Sequence, residues 1–272
     1  MIEMKKLTFN PRTLGEEIVK DSLEAVSQLE KKEPLYLVGG MGVQSYFPTL
    51  LRRPTSDLDY SIVRPLGYPG FKEMVKPIQE FLQDKKYFVQ PKKGSSASML
   101  FVYDRKTEDG LAIEFARRNK NNFQKRQNIL EREFENAKSK IIEGRTKSYT
   151  VACPEDLAIP KLVRLINSLE RSPRLEELLP DGLKSLSNED IKKTLRKIAD
   201  LREETMISSG DIGLVEKLRF ISDLYDVRAL AEITGFNDDY FNKIEKEWLS
   251  IDSKPELRKR IFEVTLPERK FE

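Results

Sequence analysis

The chain is predicted to be an α+β protein. An N-terminal domain over 1–152 would hold a mixed or antiparallel sheet flanked by helices, and a helical domain would follow over 153–272. Short extended runs concentrate before residue 152, and helical periodicity dominates after Pro154. The 272 residues permit one large domain or two modest ones, and no internal repeat or low-complexity tract breaks the pattern.

Taken in order, Pro11 to Lys32 reads as a helix, because Leu14, Ile18, Leu23, Val26 and Leu29 recur at helical spacing. Tyr36-Leu37-Val38 is a short buried strand that ends in Gly39-Gly40, followed by a helix-compatible apolar segment. After a Pro-punctuated loop, Ser56 to Val63 alternates as a second strand. Phe71 to Lys86 reads as a helix with Met74, Ile78, Phe81 and Leu82 on one side. Three extended runs follow, at 87–89, 99–103 and 111–116, with turns marked by Gly94-Ser95-Ser96 and Asp109-Gly110. A helical segment to about Lys140 and a strand over 148–152 close the first half. Pro154 can open a helix, with Glu155 and Asp156 at the favourable end of its dipole, and Pro160 is expected to kink it. Residues 171–186 read as a linker, and helices are expected over 188–204 and 212–234, with two more to the C-terminus, the last starting at Pro255.

Composition excludes several chemistries. The chain has no histidine and a single cysteine, Cys153. That removes Ser-His-Asp and Cys-His catalysis, cysteine-based zinc sites and an intramolecular disulfide. Forty-eight basic residues against 45 acidic leave a formal charge of +3, so binding of nucleic acid would rest on local patches. No signal-peptide core and no run long enough to span a bilayer is present, and a soluble, cytoplasmic protein without membrane contact is expected.

Asp57 and Asp59 stand at i and i+2 on a strand, on one face and roughly 7 Å apart at Cα level. Two carboxylates so placed repel unless a cation lies between them, and Mg²⁺ favours such oxygens together with substrate phosphates. The preceding double glycine lets backbone N–H groups approach an anion. The plainer alternative is a surface strand with solvated Asp residues after an ordinary turn. Glu114 is a lone acid between Ile113 and Phe115. Either it shares the face of Asp57 and Asp59, where a cation compensates it, or it points to water at an edge. Arg117 to Arg126 holds five basic residues and no acid. It is either a solvated face or a phosphate contact. On the 212–234 helix, Arg219, Ser222, Asp223 and Asp226 form a polar stripe, which spacing alone reads as a solvated face with an i,i+4 pair.

Together these pieces resemble the AbiEii/MenT family of nucleotidyltransferase-like toxins, within the polymerase-β-type superfamily. The resemblance is carried by Gly39-Gly40, Arg53-x-x-Ser56-Asp57-Leu58-Asp59-Tyr60, Ile113-Glu114-Phe115, Pro154 through Lys161-Leu162, and Ser222-Asp223-Leu224-Tyr225-Asp226-Val227. It implies that Gly39 and Gly40 line the triphosphate of an NTP, joined by Arg53 and Ser56. It implies that Asp57 and Asp59 hold Mg²⁺ in a two-ion site, with Glu114 as the third acid. Lys161 would contact nucleotide phosphates, and Asp223 would be the acid of the last motif. A tRNA acceptor end and a cognate antitoxin are the implied partners. Two positions depart from the pattern: Met41 stands where many relatives carry Thr or Ser, and Ser222 where many carry Arg. A small-molecule nucleotidyltransferase of the antibiotic-modifying type, and a catalytically degenerate protein that binds RNA or an antitoxin, remain open alternatives.

Overall fold

A computed structural model describes residues 12–30, 32–95, 97–104, 106–107, 109–178, 212–249 and 255–266. The chain divides into two units, Met1–Cys153 and Pro154–Glu272.

The first unit is built on one seven-stranded mixed sheet. Its strands are β1 (Leu35–Val38), β2 (Asp57–Ile62), β3 (Tyr87–Lys93), β4 (Ala97–Asp104), β5 (Gly110–Ala116), β6 (Lys138–Ile141) and β7 (Ser148–Val151). Their spatial order is β3-β4-β5-β2-β1-β7-β6. The β1–β7 and β2–β5 pairs are parallel, and the remaining pairs antiparallel. β3 lies at an edge, where Pro91 leaves no ladder donor missing inside the sheet.

One sheet face is mainly apolar, with Ser98 as a buried polar residue in register with Phe115. Leu35, Leu37, Leu58, Tyr60, Ile62, Leu100, Val102, Ile113 and Phe115 are all buried on it. The Phe115 ring stacks on Tyr60 at 5.5 Å and meets Phe71 of α3 (Tyr68–Met74) at 5.7 Å. α1 (Glu17–Ser27) is tied to its neighbours by charge: Asp21 accepts from Tyr87 Oη at 2.8 Å and pairs with Lys85 and Arg145. The opposite face is covered at the β1 side by α6 (Gln127–Asn136), where Tyr36 Oη donates to Glu133 at 2.5 Å and meets the Phe134 ring.

Three boundaries differ from expectation for local reasons. The first helix starts only at Glu17, because Arg12 exchanges backbone hydrogen bonds with Thr55 in both directions and is held extended. The stretch 71–86 is not one helix. α3 ends at Met74 and α4 (Lys76–Asp84) begins afresh, since Pro77 has no N–H to continue the ladder and suits a first turn instead. The helix expected to reach Lys140 stops at Asn136, and Lys138–Ile141 forms β6 on the edge, paired with β7. A strand with one apolar residue in four is made by its partner, not by its own propensity.

The second unit contains α7 (Pro154–Arg171), α8 (Ile212–Thr234), α9 (Asp238–Leu249) and α10 (Pro255–Thr265), with a 3₁₀ turn over Pro173–Leu178. α7 continues through Pro160 as one element. Glu155 and Asp156, expected in a favourable dipole position, are buried and hold α9: Asn237 N donates to Glu155 and Tyr240 Oη to Asp156, each at 2.7 Å. The helix expected over 188–204 lies outside the described residues. No described helix is long and apolar enough to cross a membrane.

Candidate active site

β1 runs directly into α2 (Gly39–Gln44) through Gly39, whose φ of 69° is left-handed. That conformation is strained for any residue with a Cβ. Space makes the same demand, because a Cβ at Gly39 would lie 2.9 Å from Asp59 Cγ. The carboxylate of Asp59 therefore rests against the turn. A Cβ at Gly40 would lie 3.0 Å from Thr55 Oγ1 and 3.3 Å from an Arg53 guanidinium nitrogen, so Arg53 stands beside the double glycine.

Asp57 and Asp59 are the first and third residues of β2, both half-buried while Leu58 and Tyr60 are buried. Parallel pairing places Asp59 opposite Glu114 and Asp57 opposite Ala112. Residues in register share a face, so the three acids lie together, with the small Ala112 leaving room beside Asp57. The edge reading of Glu114 fails, since β5 is interior to the sheet. Burial pushes the Glu114 carboxyl up from its ordinary value, and the negative charge of Asp57 pushes it further.

Sequence reasoning missed the groups that hold these acids. Thr55 Oγ1 donates to Asp57 Oδ1 at 2.9 Å. Gln44, 1% exposed at the end of α2, donates to the carbonyl of Arg53 at 2.8 Å and accepts from Leu14 N at 3.1 Å. It fixes the loop that leads into β2. Thr55 was visible as the hydroxyl two residues before Asp57; Gln44 carried no signal, because its partners are distant in sequence. Ser56 occupies the bend before β2. Met41 is fully buried, so a substitution there changes the core behind the turn, not the surface of it.

The donor set suits a hard divalent cation: two carboxylates fixed on one strand, and a third acid on the next whose charge burial and Asp57 disfavour. Among the described residues no three acidic, histidine or cysteine side chains gather around one ion position. Glu114 stands one strand away from the Asp57–Asp59 pair, about 4.8 Å at the backbone.

The basic run divides. Arg118 is half-buried and donates to Ser61 Oγ at 3.2 Å, and Arg117 donates to the Ser95 carbonyl at 2.5 Å. Lys120, Lys125 and Arg126, on or beside α5 (Lys120–Gln124), are exposed.

In the helical unit the polar stripe is not solvated. Asp223 and Asp226 are 3% and 0% exposed, and Lys161, 3% exposed, pairs with them at 3.1 and 2.9 Å. Arg164 forks onto Asp223 with two bonds of 2.9 Å. Burial pushes Asp223 up, but Lys161 and Arg164 outweigh it and hold the carboxyl below its ordinary range. Arg219 is exposed and Ser222 half-buried.

No protein-family model matches the chain, and no curated protein matches it. Among solved structures, an antigenic nucleotidyltransferase-like protein from Paracoccidioides brasiliensis is similar over 56% of this chain and 67% of its own, at 14% identity and a TM-score of 0.38. JHP933 from Helicobacter pylori is similar over 86% of this chain and 96% of its own, at 11% identity and a TM-score of 0.33. The Vibrio cholerae cyclic AMP-GMP synthase DncV is similar over 87% and 70%, at 13% identity and a TM-score of 0.24. Likeness at this level leaves function to the geometry of the residues themselves.

Proposed function

We propose that the chain is a Mg²⁺-dependent nucleotidyltransferase that moves a nucleoside monophosphate from an NTP to an acceptor hydroxyl. The observation that carries this reading is the shared face of Asp57, Asp59 and Glu114 beside the Gly39 turn. Asp57 and Asp59 would hold Mg²⁺, which when bound neutralises phosphate charge and favours ionisation of the hydroxyl. Thr55 keeps Asp57 oriented. The double glycine lets the triphosphate approach the backbone, and Arg53 beside it offers a cation. In the step itself the acceptor oxygen bonds to the α-phosphorus, the bond from that phosphorus to pyrophosphate breaks, and pyrophosphate leaves. Glu114 accepts the hydroxyl proton, a role its raised affinity for a proton suits.

The finer reading follows from the resemblance. The acceptor is a tRNA 3′ end, and the protein acts as the toxin of a toxin–antitoxin pair. Lys161 and Asp223, which the resemblance links to the nucleotide, here join Asp226 and Arg164 in an ion cluster whose proposed first task is to hold α7 on α8. The test is transfer of label from each NTP to total tRNA with Mg²⁺, beside Asp59→Ala. Loss of at least about a hundredfold is expected for the variant. No transfer from any NTP, or equal transfer by the variant, sinks the reading.

A further inference from the structure

The face that carries the acids does not end at Glu114. Antiparallel pairing continues its row across the sheet, from Glu114 to Met99 on β4 and Lys92 on β3. The neighbouring row runs from Ala112 to Phe101 and Gln90. Beyond Phe101 on the same face come Tyr103 and Phe88, which the β3–β4 register sets opposite each other. Phe101 and Tyr103 rings meet at 6.2 Å and Phe88 and Tyr103 at 6.1 Å, a continuous aromatic strip. The Lys92 ammonium lies 5.0 Å above the Phe101 ring. Phe88 is 48% exposed, Met99 and Phe101 are half-buried, and Tyr103 lies buried between the two Phe rings.

The edge strand β3 displays Phe88 to water, and Met99 and Phe101 of the adjoining β4 lie half-buried on the same face. Across β3 and β4 this face bears aromatic, thioether, amide and ammonium groups and no acid. Arg117, anchored to the Ser95 carbonyl in the β3–β4 turn, adds a second cation at the same end. Aromatic rings with interleaved cations are what unpaired bases and their phosphates bind, by stacking and charge. A cationic small acceptor would need acids there. The strip also begins one strand from Glu114 and extends roughly 10 Å beyond it.

We propose that the β3–β4 face, centred on Phe88, Phe101 and Lys92, is the stacking platform for the unpaired end of a single-stranded polynucleotide acceptor. This deepens the nucleotidyltransferase reading and rests on it for the direction of the strand: the terminal hydroxyl at Glu114, the preceding bases on the rings.

The probe is a short 5′-fluorescein-labelled adenylate RNA, titrated with the full chain by anisotropy without NTP, beside a blunt RNA duplex of equal length. Phe88→Ala and Phe101→Ala are each expected to weaken single-strand binding roughly fivefold to a hundredfold. Phe88→Trp, which keeps a ring on an exposed position, is expected to restore or strengthen it. The duplex is expected to bind more weakly than the single strand. Equal affinity of both alanine variants and the native chain, preference for the duplex, or no RNA binding by the native chain overturns the proposal. The last outcome would leave the strip to a protein partner. Mg²⁺-dependent NTP affinity of the native chain is measured separately by calorimetry. Its absence counts against the nucleotidyltransferase reading, while RNA binding that ignores the rings counts against the platform alone.

Discussion

Gly39 and Asp59 are coupled at the scale of single atoms. The positive φ at Gly39 and the carboxylate packed on it mean that a methyl group there would be strained and would push Asp59 off its place. Glu114 shows the converse: half-buried and near the charge of Asp57, it holds a proton more readily than an exposed glutamate. Glu30 carries a similar load away from the site. It accepts from Thr150 N and Oγ1 at 2.8 and 2.7 Å, yet burial pushes its carboxyl up to about 7. Its folded pKa lies above its unfolded value, so its contribution to stability is full below about pH 4.5 and is lost as pH rises through about 7. Urea unfolding between pH 5 and 8 is expected to show this decline in the native chain and a flatter profile in Glu30→Gln. Parallel profiles would contradict it.

Between elements, the decisive contact of the helical unit is the pairing of α7 with α8 through Lys161. Its ammonium sits between two carboxylates that are both almost wholly buried. Lys161→Met is expected to cost about 3–5 kcal/mol of stability in urea unfolding, because it strands buried charge. A loss under about 1 kcal/mol would mean that the cluster is wetter than its burial indicates. Arg164, exposed and forked onto Asp223, adds a second cation to that carboxylate. In the sheet unit the comparable contact is Gln44, which ties α2 to the loop before β2 and so keeps the Gly39 turn and the Asp57 strand in one frame.

At the scale of the whole chain, Cys153 is the last residue of the sheet unit and is 3% exposed. A thiol so buried is expected to react with a disulfide reagent only on unfolding, so its labelling rate should follow the denaturant transition. Fast stoichiometric labelling of the native protein would falsify that burial. Much of the candidate site was legible, and for a simple reason. Alternation along one strand is local, so Asp57 and Asp59 had to share a face, and Glu114 stood out as an acid among apolar neighbours. The absence of histidine narrowed the chemistry before any folding was considered. The stripe of Asp223 and Asp226 was misread because i, i+3 spacing is the same for a solvated helix face and a buried one. The neutralising lysine lies 62 residues away.

The amino-acid sequence by itself determined the α+β division, the carboxylate pair after a double glycine, and the location of the third acid on a strand. Only the tertiary structure decided that Asp59 lies in register with Glu114, that Thr55 and Gln44 hold the pair, and that Met41 faces the core. It alone made Lys138–Ile141 a strand and set Met99 and Lys92 in the row of Glu114, beside a row that carries Phe101. The physical reason is common to all of these. Strand register, burial and charge compensation depend on which partner arrives from elsewhere in the chain, whereas periodicity and residue chemistry are written locally. Gly39 belongs to both, since its freedom of φ is its own but the carboxylate resting on it comes from β2.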